Sequence, residues 1–479
     1  MYLGIDLGTS GVKAVLVDED QSILASHTAD LTVMRPASGW SEQNPDDWIS
    51  ATSAALAALS RDNDLSTVEA IGLSGQMHGA TLLGQDDAPL RPCILWNDTR
   101  SHKEAAGMDA NPVFRAATGN IVFPGFTAPK LSWVQNHEPD VFAATTKVLL
   151  PKDYLRLWLT GDYVSDMSDA AGTGWLDMEL RAWSDPLLAA TNLSAEAMPR
   201  LVEGAAPGGG LRAEVADQFG LPRGTVVAGG GGDNAASAVG VGVVEAGQAF
   251  VSLGTSGVLF AANAGYQPDA DTALHTFCHA LPDTWHQMGV ILAATDALNW
   301  FAGLAGSDAE ALTKDLPALM APGRTLFLPY LGGERTPHND ADIRGAMIGL
   351  EHATDAAAAT RAVLEGVSFA FRDCAQAMAT TGTQIDRLIA VGGGSQSDYW
   401  LAAIATALGI PVDRPEDGDF GGAFGAARLA MLATGAAVSD IAVPPRIAQS
   451  FEPDPHLQDA FSEAHSRYQH TYAALKGLS

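Results

Sequence analysis

A hexapeptide occurs twice in this chain of 479 residues. Leu7-Gly8-Thr9-Ser10-Gly11-Val12 returns as Leu253-Gly254-Thr255-Ser256-Gly257-Val258, an offset of 253 − 7 = 246 positions, about half the chain. Both copies share a context. Each follows an apolar run, Tyr2-Leu3-Gly4-Ile5 and Ala249-Phe250-Val251, and each precedes another, Ala14-Val15-Leu16-Val17 and Leu259-Phe260-Ala261. Self-similarity at this spacing predicts two halves of the same design, each a strand, a tight Gly-Thr-Ser turn and a second strand. In the first half a third strand is predicted at Ser22-Ile23-Leu24-Ala25-Ser26. A helix follows from about Pro45 towards Leu59, with Asn44 as N-cap and Asp46 and Asp47 against the dipole. Val68 to Ser74 reads as a further buried strand. Strand meander followed by alternating helix and strand is the order of a mixed α/β sheet. Two such halves facing each other would leave a cleft.

Short turns rich in Gly and hydroxyl residues expose backbone N–H groups and let a phosphate approach closely. Thr9 and Ser10 in one half and Thr255 and Ser256 in the other could grip one triphosphate. One such turn would read as an ordinary hairpin; two in matching contexts favour phosphate. Asp6, just before the first turn, could hold Mg²⁺ or cap the turn through its own backbone. Ala228-Gly229-Gly230-Gly231-Gly232-Asp233-Asn234 opens a small-residue helix. Asp233 there reads either as a helix cap or as a base that accepts a hydroxyl proton, and the stripped backbone before it favours the base. Leu388-Ile389-Ala390-Val391, Gly392-Gly393-Gly394-Ser395 and the stretch Gln396 to Leu408 form a strand, a bare turn and a helix that could sit against a nucleotide. Phe420 to Ala427 allows either close helix packing or an adenine slot. Gln76-Met77-His78-Gly79 and Trp96-Asn97-Asp98 follow apolar segments and suit sugar hydroxyls; a lone His78 would otherwise be structural. His275, Cys278 and His279 invite a zinc reading, but no second ligand pair at a recognisable spacing accompanies them, and their role stays open.

The net charge of −29 repels nucleic acid and anionic membrane surfaces, so neither is an expected partner. It would also repel a nucleotide, which places the burden of binding on backbone N–H groups, a helix terminus and a metal. Three widely spaced cysteines, Cys93, Cys278 and Cys374, make no disulfide framework and fit a reducing cytosol. The N-terminus lacks the basic and apolar segments of a signal peptide, and the uncharged stretch Gly247 to Pro268 carries too many polar residues for a membrane span. A cytoplasmic protein is expected.

The segments MYLGIDLGTSGVKAVLVDE, SGQMHGATLL, CILWNDTR, FPGFTAPKLSWVQNHEP, VLLPKDYLRLWLTGD, SDMSDAAGTGWLD, GGDNAASAVGVG, SLGTSGVLF, FLPYLGGERTPHN, AVGGGSQSDYW and GAARLA run in order over nearly the whole chain. In them the sequence resembles the FGGY carbohydrate kinases. The resemblance implies two actin-like (ribonuclease H-like) α/β domains, at 1–243 and 244–479, with an ATP and sugar cleft between them that closes on the sugar. It implies ATP-dependent phosphorylation of D-xylulose, with Mg²⁺, and a homodimer for which no interface is legible. By the same resemblance Asp233 is the catalytic base. Met77 and His78 contact the sugar, with Trp96, Asn97, Asp98 and Asn234 nearby. Thr9, Ser10 and Lys13 form the first phosphate segment, Gly254, Thr255 and Ser256 the second. Gly393, Gly394 and Ser397 hold adenosine, and Asp6 and Asp233 belong to the metal shell. Gly125 to His137, with Lys130 and Trp133, fits the first family signature. The second is only partly kept, with Ala358 and Ala359 where larger or polar residues are expected, on what reads as a helix packing surface. Kinases for ribulose, glycerol or gluconate share the nucleotide machinery and remain alternatives. An actin-like ATPase would have no use for Met77-His78, and a sugar-responsive regulator would need a basic DNA-binding element that is not visible.

Overall fold

The computed structural model describes residues 1–416 and 420–478. The chain forms two compact units. The first comprises Met1–Val244, Phe277–Trp285 and Asp419–Pro444; the second comprises Glu245–Thr276, His286–Gly418 and Pro445–Ser479. The expected division at 243/244 cuts the chain once, whereas the packing returns two later segments to the first unit.

The first unit is built on strands β1 (Tyr2–Leu7), β2 (Gly11–Val17), β3 (Ile23–Asp30), β4 (Ala70–Gly75), β5 (Pro207–Gly210), β6 (Val226–Ala228) and β7 (Gly231–Gly232). The sheet order is β5-β6-β4-β1-β2-β3, with β7 also on β4. β1 runs antiparallel to β2 and parallel to β4. The helix Pro45–Asp62 starts as predicted: Asn44 accepts from the Asp46 N–H, and Trp48, Ala55 and Leu56 are buried. It ends three residues beyond the predicted Leu59.

On the sheet sits the helix Gly422–Ala433. Its backbone comes so close that a Cβ on Gly72 would lie 1.7 Å from the Ala426 carbonyl oxygen, and one on Gly4 1.9 Å from that of Ala423. A Cβ on Gly425 would lie 1.7 Å from the carbonyl of Ala236, in the helix Asp233–Gly240. The Phe420–Ala427 stretch is therefore a helix-packing surface in the first unit. Its glycines and those of the strands beneath remove side chains where backbones meet, which is the physical reason this late segment joins the first unit.

A second sheet repeats the strand plan with β8 (Gly247–Leu253), β9 (Gly257–Asn263), β10 (His275–Cys278), β11 (Trp285–Ile291), β12 (Ile385–Val391), β13 (Val412–Pro415) and β14 (Ile447–Phe451). The order is β10-β11-β9-β8-β12-β13-β14. β8 is antiparallel to β9 and parallel to β12, the same relations that β1 has to β2 and β4. The sequence repeat is thus a repeat of topology, with each Gly-Thr-Ser turn joining the two antiparallel members. Helices Ala356–Thr380, Asp398–Leu408 and Gln458–Leu475 supply core residues including Phe369, Trp400 and Tyr468. Ala359 is buried and Ala358 half-buried on the first of these, as a packing surface requires. No helix among the described residues is long and apolar enough to cross a membrane.

Candidate active site

The first turn is held from outside itself. The Gly8 N–H donates to the Gly11 carbonyl at 3.0 Å. The Thr9 hydroxyl donates to Gln76 Oε1 and accepts from Trp96 Nε1, each at 3.0 Å. Gln43 Nε2 donates to the Thr9 carbonyl at 2.8 Å, and Gln43 Oε1 accepts from both Gln76 Nε2 and Trp48 Nε1. Ser10 is exposed. Gln43 and Gln76, which sequence reasoning did not single out for this role, therefore fix the turn. Below it, Asp6 and Lys13 are cross-strand partners. Burial pushes the Asp6 carboxyl up, opposed by a 2.8 Å bond from Ser74 Oγ and by the Lys13 charge. Burial likewise lowers Lys13, opposed by Asp6.

Asp233 is the first residue of its helix, and Gly232 is the N-cap. The cap reading of Asp233 therefore gives way. Its Oδ1 accepts from the Asn234 N–H (2.7 Å) and from Asn234 Nδ2 (2.9 Å), leaving Oδ2 without a hydrogen bond among the described residues. Burial, then the nearby Asp6 charge, pushes this carboxyl up to about 6. The glycines before it have a steric reason. A Cβ on Gly229 would meet the Glu203 carbonyl oxygen at 2.1 Å, one on Gly230 that of Leu73 at 2.2 Å, and one on Gly232 Met77 Cγ at 2.8 Å. Met77 thus packs against the residue that precedes Asp233.

His78 adopts a left-handed backbone, φ 70°. Its carbonyl accepts from Thr127 Oγ1 (3.1 Å) and from Lys130 Nζ (2.9 Å), its ring stacks on Phe126 at 5.1 Å, and its Nδ1 lies 2.6 Å from the Gly172 carbonyl. Nδ1 carries the proton in that contact. Lys130 is fully buried and also donates to the Gly125 carbonyl at 2.6 Å; burial depresses it to about 7. Trp96 is exposed, and Asn97 Oδ1 is a buried acceptor with no hydrogen-bond partner among the described residues, ready for a donor. Asp98 behaves differently. It is buried, its two oxygens bind Arg100 Nε (2.9 Å) and Nη2 (2.7 Å), and they accept from the N–H groups of Arg100 and Ser41. Asp98 holds its loop rather than presenting a carboxylate.

In the second unit the Gly254-Thr255-Ser256 turn is pinned by the start of the helix Thr295–Leu304. Thr295 donates to the Gly254 carbonyl through both N–H (2.9 Å) and Oγ1 (2.7 Å), and the Ala294 N–H donates to the Thr255 carbonyl (2.8 Å). The Thr255 and Ser256 side chains stay exposed. Gly394 lies against the same turn: a Cβ there would be 2.8 Å from Leu253 Cβ. Gly393, Gly394 and Ser397 line a cavity of about 1130 Å³ with Leu298, Leu319 and Phe451 among its walls. Ser397 N-caps the helix Asp398–Leu408, accepting from the Trp400 N–H at 3.4 Å.

The histidine and cysteine group does not assemble. No cluster of three or more metal-ligating side chains occurs among the described residues. His275 Nε2 lies 3.4 Å from Arg335 Nη1, Cys278 Sγ donates to the Met178 carbonyl, and His279 Nε2 meets the Val243 carbonyl at 3.1 Å.

Two family descriptions cover this chain: the N-terminal domain of the FGGY family of carbohydrate kinases matches residues 1–240, and its C-terminal domain matches residues 249–434. The chain belongs to the FGGY family of carbohydrate kinases. It is therefore a phosphotransferase with the actin-like two-domain fold of that family. Among curated FGGY relatives, the xylulose kinase of Escherichia coli K12 is 47% identical over 100% of both chains, and that of Klebsiella pneumoniae is 50% identical over 90% of both. A crystal structure described as a xyloylose kinase from Brucella ovis is 59% identical, covers 100% of each chain and superposes with a TM-score of 0.98.

Proposed function

We propose that this FGGY kinase transfers the γ-phosphoryl group of ATP to O5 of D-xylulose, giving D-xylulose 5-phosphate and ADP. The observation that carries the chemistry is Asp233. A carboxyl raised to about 6 is ionised at neutral pH yet close enough to it to take a proton, and its unbonded Oδ2 is available to a hydroxyl. In this reading Oδ2 accepts the O5 proton as O5 attacks phosphorus and the bond to the ADP oxygen breaks. His78, Asn97 and Asn234 orient the sugar, Trp96 and Met77 shape its site, and Asp98 acts through the loop it holds. Thr9, Ser10, Lys13, Thr255, Ser256 and Gly254 meet the phosphates. Gly393, Gly394 and the cavity beside them take the adenosine. The sugar thus falls to residues of 1–243 and the nucleotide base to residues of 244–479. Likeness to full-length relatives named as xylulose kinases supports the sugar.

Asp6 and Asp233 suit Mg²⁺: two carboxyls, both disfavoured as anions by burial, with the Asp6 charge further penalising Asp233. With no third side-chain ligand among the described residues, the ion would keep waters and phosphate oxygens as the rest of its shell. When bound, it supplies neutralisation of phosphate charge. Three buried, unpaired cysteines fit action in the cytosol, and a homodimer belongs to the same proposal. The test is Asp233→Ala. Turnover with D-xylulose should vanish while calorimetric ATP binding persists; turnover within tenfold of wild type would remove Asp233 as the base.

A further inference from the structure

A short buried segment, Asp166 to Thr173, touches both halves of the proposed chemistry, though neither its charges nor its hydroxyls contact substrate in the reading above. At one end it meets the loop that carries the base. The Gly232 N–H, one residue before Asp233, donates to Ser168 Oγ at 3.1 Å. Ser168 Oγ in turn donates to Asp166 Oδ2, which also accepts from the Ser168 and Asp169 N–H groups. At the other end, the Gly172 carbonyl fixes His78 Nδ1 at 2.6 Å. Gly172 must lack a side chain there, since a Cβ would lie 2.4 Å from His78 Nδ1 and 3.0 Å from Met77 Cε.

The segment is anchored by a buried cation. Lys152 Nζ lies 2.7 Å from Asp153, 2.9 Å from Asp166 Oδ1 and 3.4 Å from Asp169, and all four side chains have no solvent exposure. One ammonium among three buried carboxyl groups, of which burial pushes Asp169 well above the usual carboxylate range, is a costly arrangement that a purely apolar core would avoid. What it secures is geometry. Asp166 uses one oxygen for Lys152 and the other for Ser168, so the position of the Ser168 hydroxyl, and through it the Gly232 N–H, is tied to a fixed charge.

We propose that Lys152, Asp166, Ser168 and Gly172 are positioning residues that set two distances at once: Asp233 to the reacting hydroxyl, through Gly232, and His78 to the sugar, through its ring nitrogen. The proposal rests on the assignment of Asp233 as base and His78 as sugar contact. Its two ends predict two different kinetic signatures, which a merely structural segment would not produce. Ser168→Ala removes the acceptor for the Gly232 N–H together with the donor to Asp166 Oδ2, and it should lower kcat at least tenfold with KM for both substrates within about threefold. Gly172→Ala pushes on His78 and should raise KM for the sugar at least tenfold while KM for ATP stays within about twofold. Thermal melting within a few degrees of wild type shows that each variant is folded. Should Gly172→Ala melt, folded Ser168→Ala decides the proposal by its kcat.

Asp233→Ala and His78→Ala, assayed alongside, separate the failures. Asp233→Ala active, or His78→Ala with an unchanged sugar KM, overturns the underlying reading. Both of those behaving as expected while folded Ser168→Ala keeps wild-type kcat, or raises KM for ATP and sugar alike, overturns the positioning role.

Discussion

Asp233→Asn removes a charge that the fold itself penalises, and the consequence can be worked out with its sign. In the unfolded chain the carboxyl titrates near 3.8; in the folded, ligand-free protein burial and Asp6 hold it at about 6. The folded state therefore binds the extra proton more tightly. With respect to this group stability is greatest below pH 3.8, falls as pH rises through the window from 3.8 to about 6, and is flat above it. The rise costs the ionised native state up to about 3 kcal/mol, at about 1.4 kcal/mol per pKa unit. Asparagine keeps the Oδ1 acceptor for Asn234 and carries no charge. Its stability relative to wild type should be about equal near pH 4 and greater by up to about 3 kcal/mol at pH 8, several degrees in Tm. Paired thermal melts across pH 4 to 8, in chelator and without sugar or nucleotide, read this directly, and a coupled ADP assay should find the variant inactive. A stability difference that is the same at pH 4 and pH 8, or smaller at pH 8, would refute the argument that burial strains this carboxyl.

Four further outcomes follow from particular contacts. In wild type, kcat/KM for the sugar should fall as pH drops through about 6, because protonated Asp233 cannot accept the hydroxyl proton; a rate flat from pH 8 to pH 5 would contradict this. Gly425→Ala forces a Cβ to within 1.7 Å of the Ala236 carbonyl, so the two helices must separate, and soluble yield or Tm should drop sharply. Arg100→Met leaves the buried Asp98 carboxylate without its cation, while Glu42 keeps Arg91, and should cost about 3–5 kcal/mol, measured by denaturant unfolding. Gln76→Ala frees the Thr9 hydroxyl and should raise KM for ATP severalfold with little change in KM for the sugar, measured by initial rates.

The architecture was legible wherever local chemistry repeats. The duplicated hexapeptide marks the turn between antiparallel strands in both units, and Asn44 with Pro45 marks a helix start that the structure keeps. Asp233 stood out because four glycines precede it, and the structure gives three of them a packing reason, with Cβ positions blocked by Glu203, Leu73 and Met77. The return of Gly422–Ala433 to the first unit was not legible as such. Its glycines signalled close packing, but the partners, Gly4 and Gly72, lie some 350 to 420 positions away. Gln43 and Ser168 escaped for the same reason, and so did the contacts of Gln76 with the Thr9 turn and of Lys130 with His78: the partners lie far off in sequence, and an isolated Gln or Ser carries no spacing signal. Asp98 and Ser397 show the converse. Their motifs are visible in the sequence, but only the bonds to Arg100 and to the Trp400 N–H show that both side chains are used to hold backbone in place.

In the proposed reaction the raised Asp233 carboxyl takes the hydroxyl proton of D-xylulose, with Met77 packed against Gly232 next to it. Initial rates of ADP formation with ATP and Mg²⁺, compared across D-xylulose, D-ribulose, L-ribulose, L-xylulose, glycerol and gluconate, test it most directly. D-xylulose should give the highest kcat/KM, and Asp233→Ala should lose it. A higher kcat/KM for any other acceptor would contradict the sugar assignment, and sugar-stimulated turnover in Asp233→Ala would contradict the chemistry.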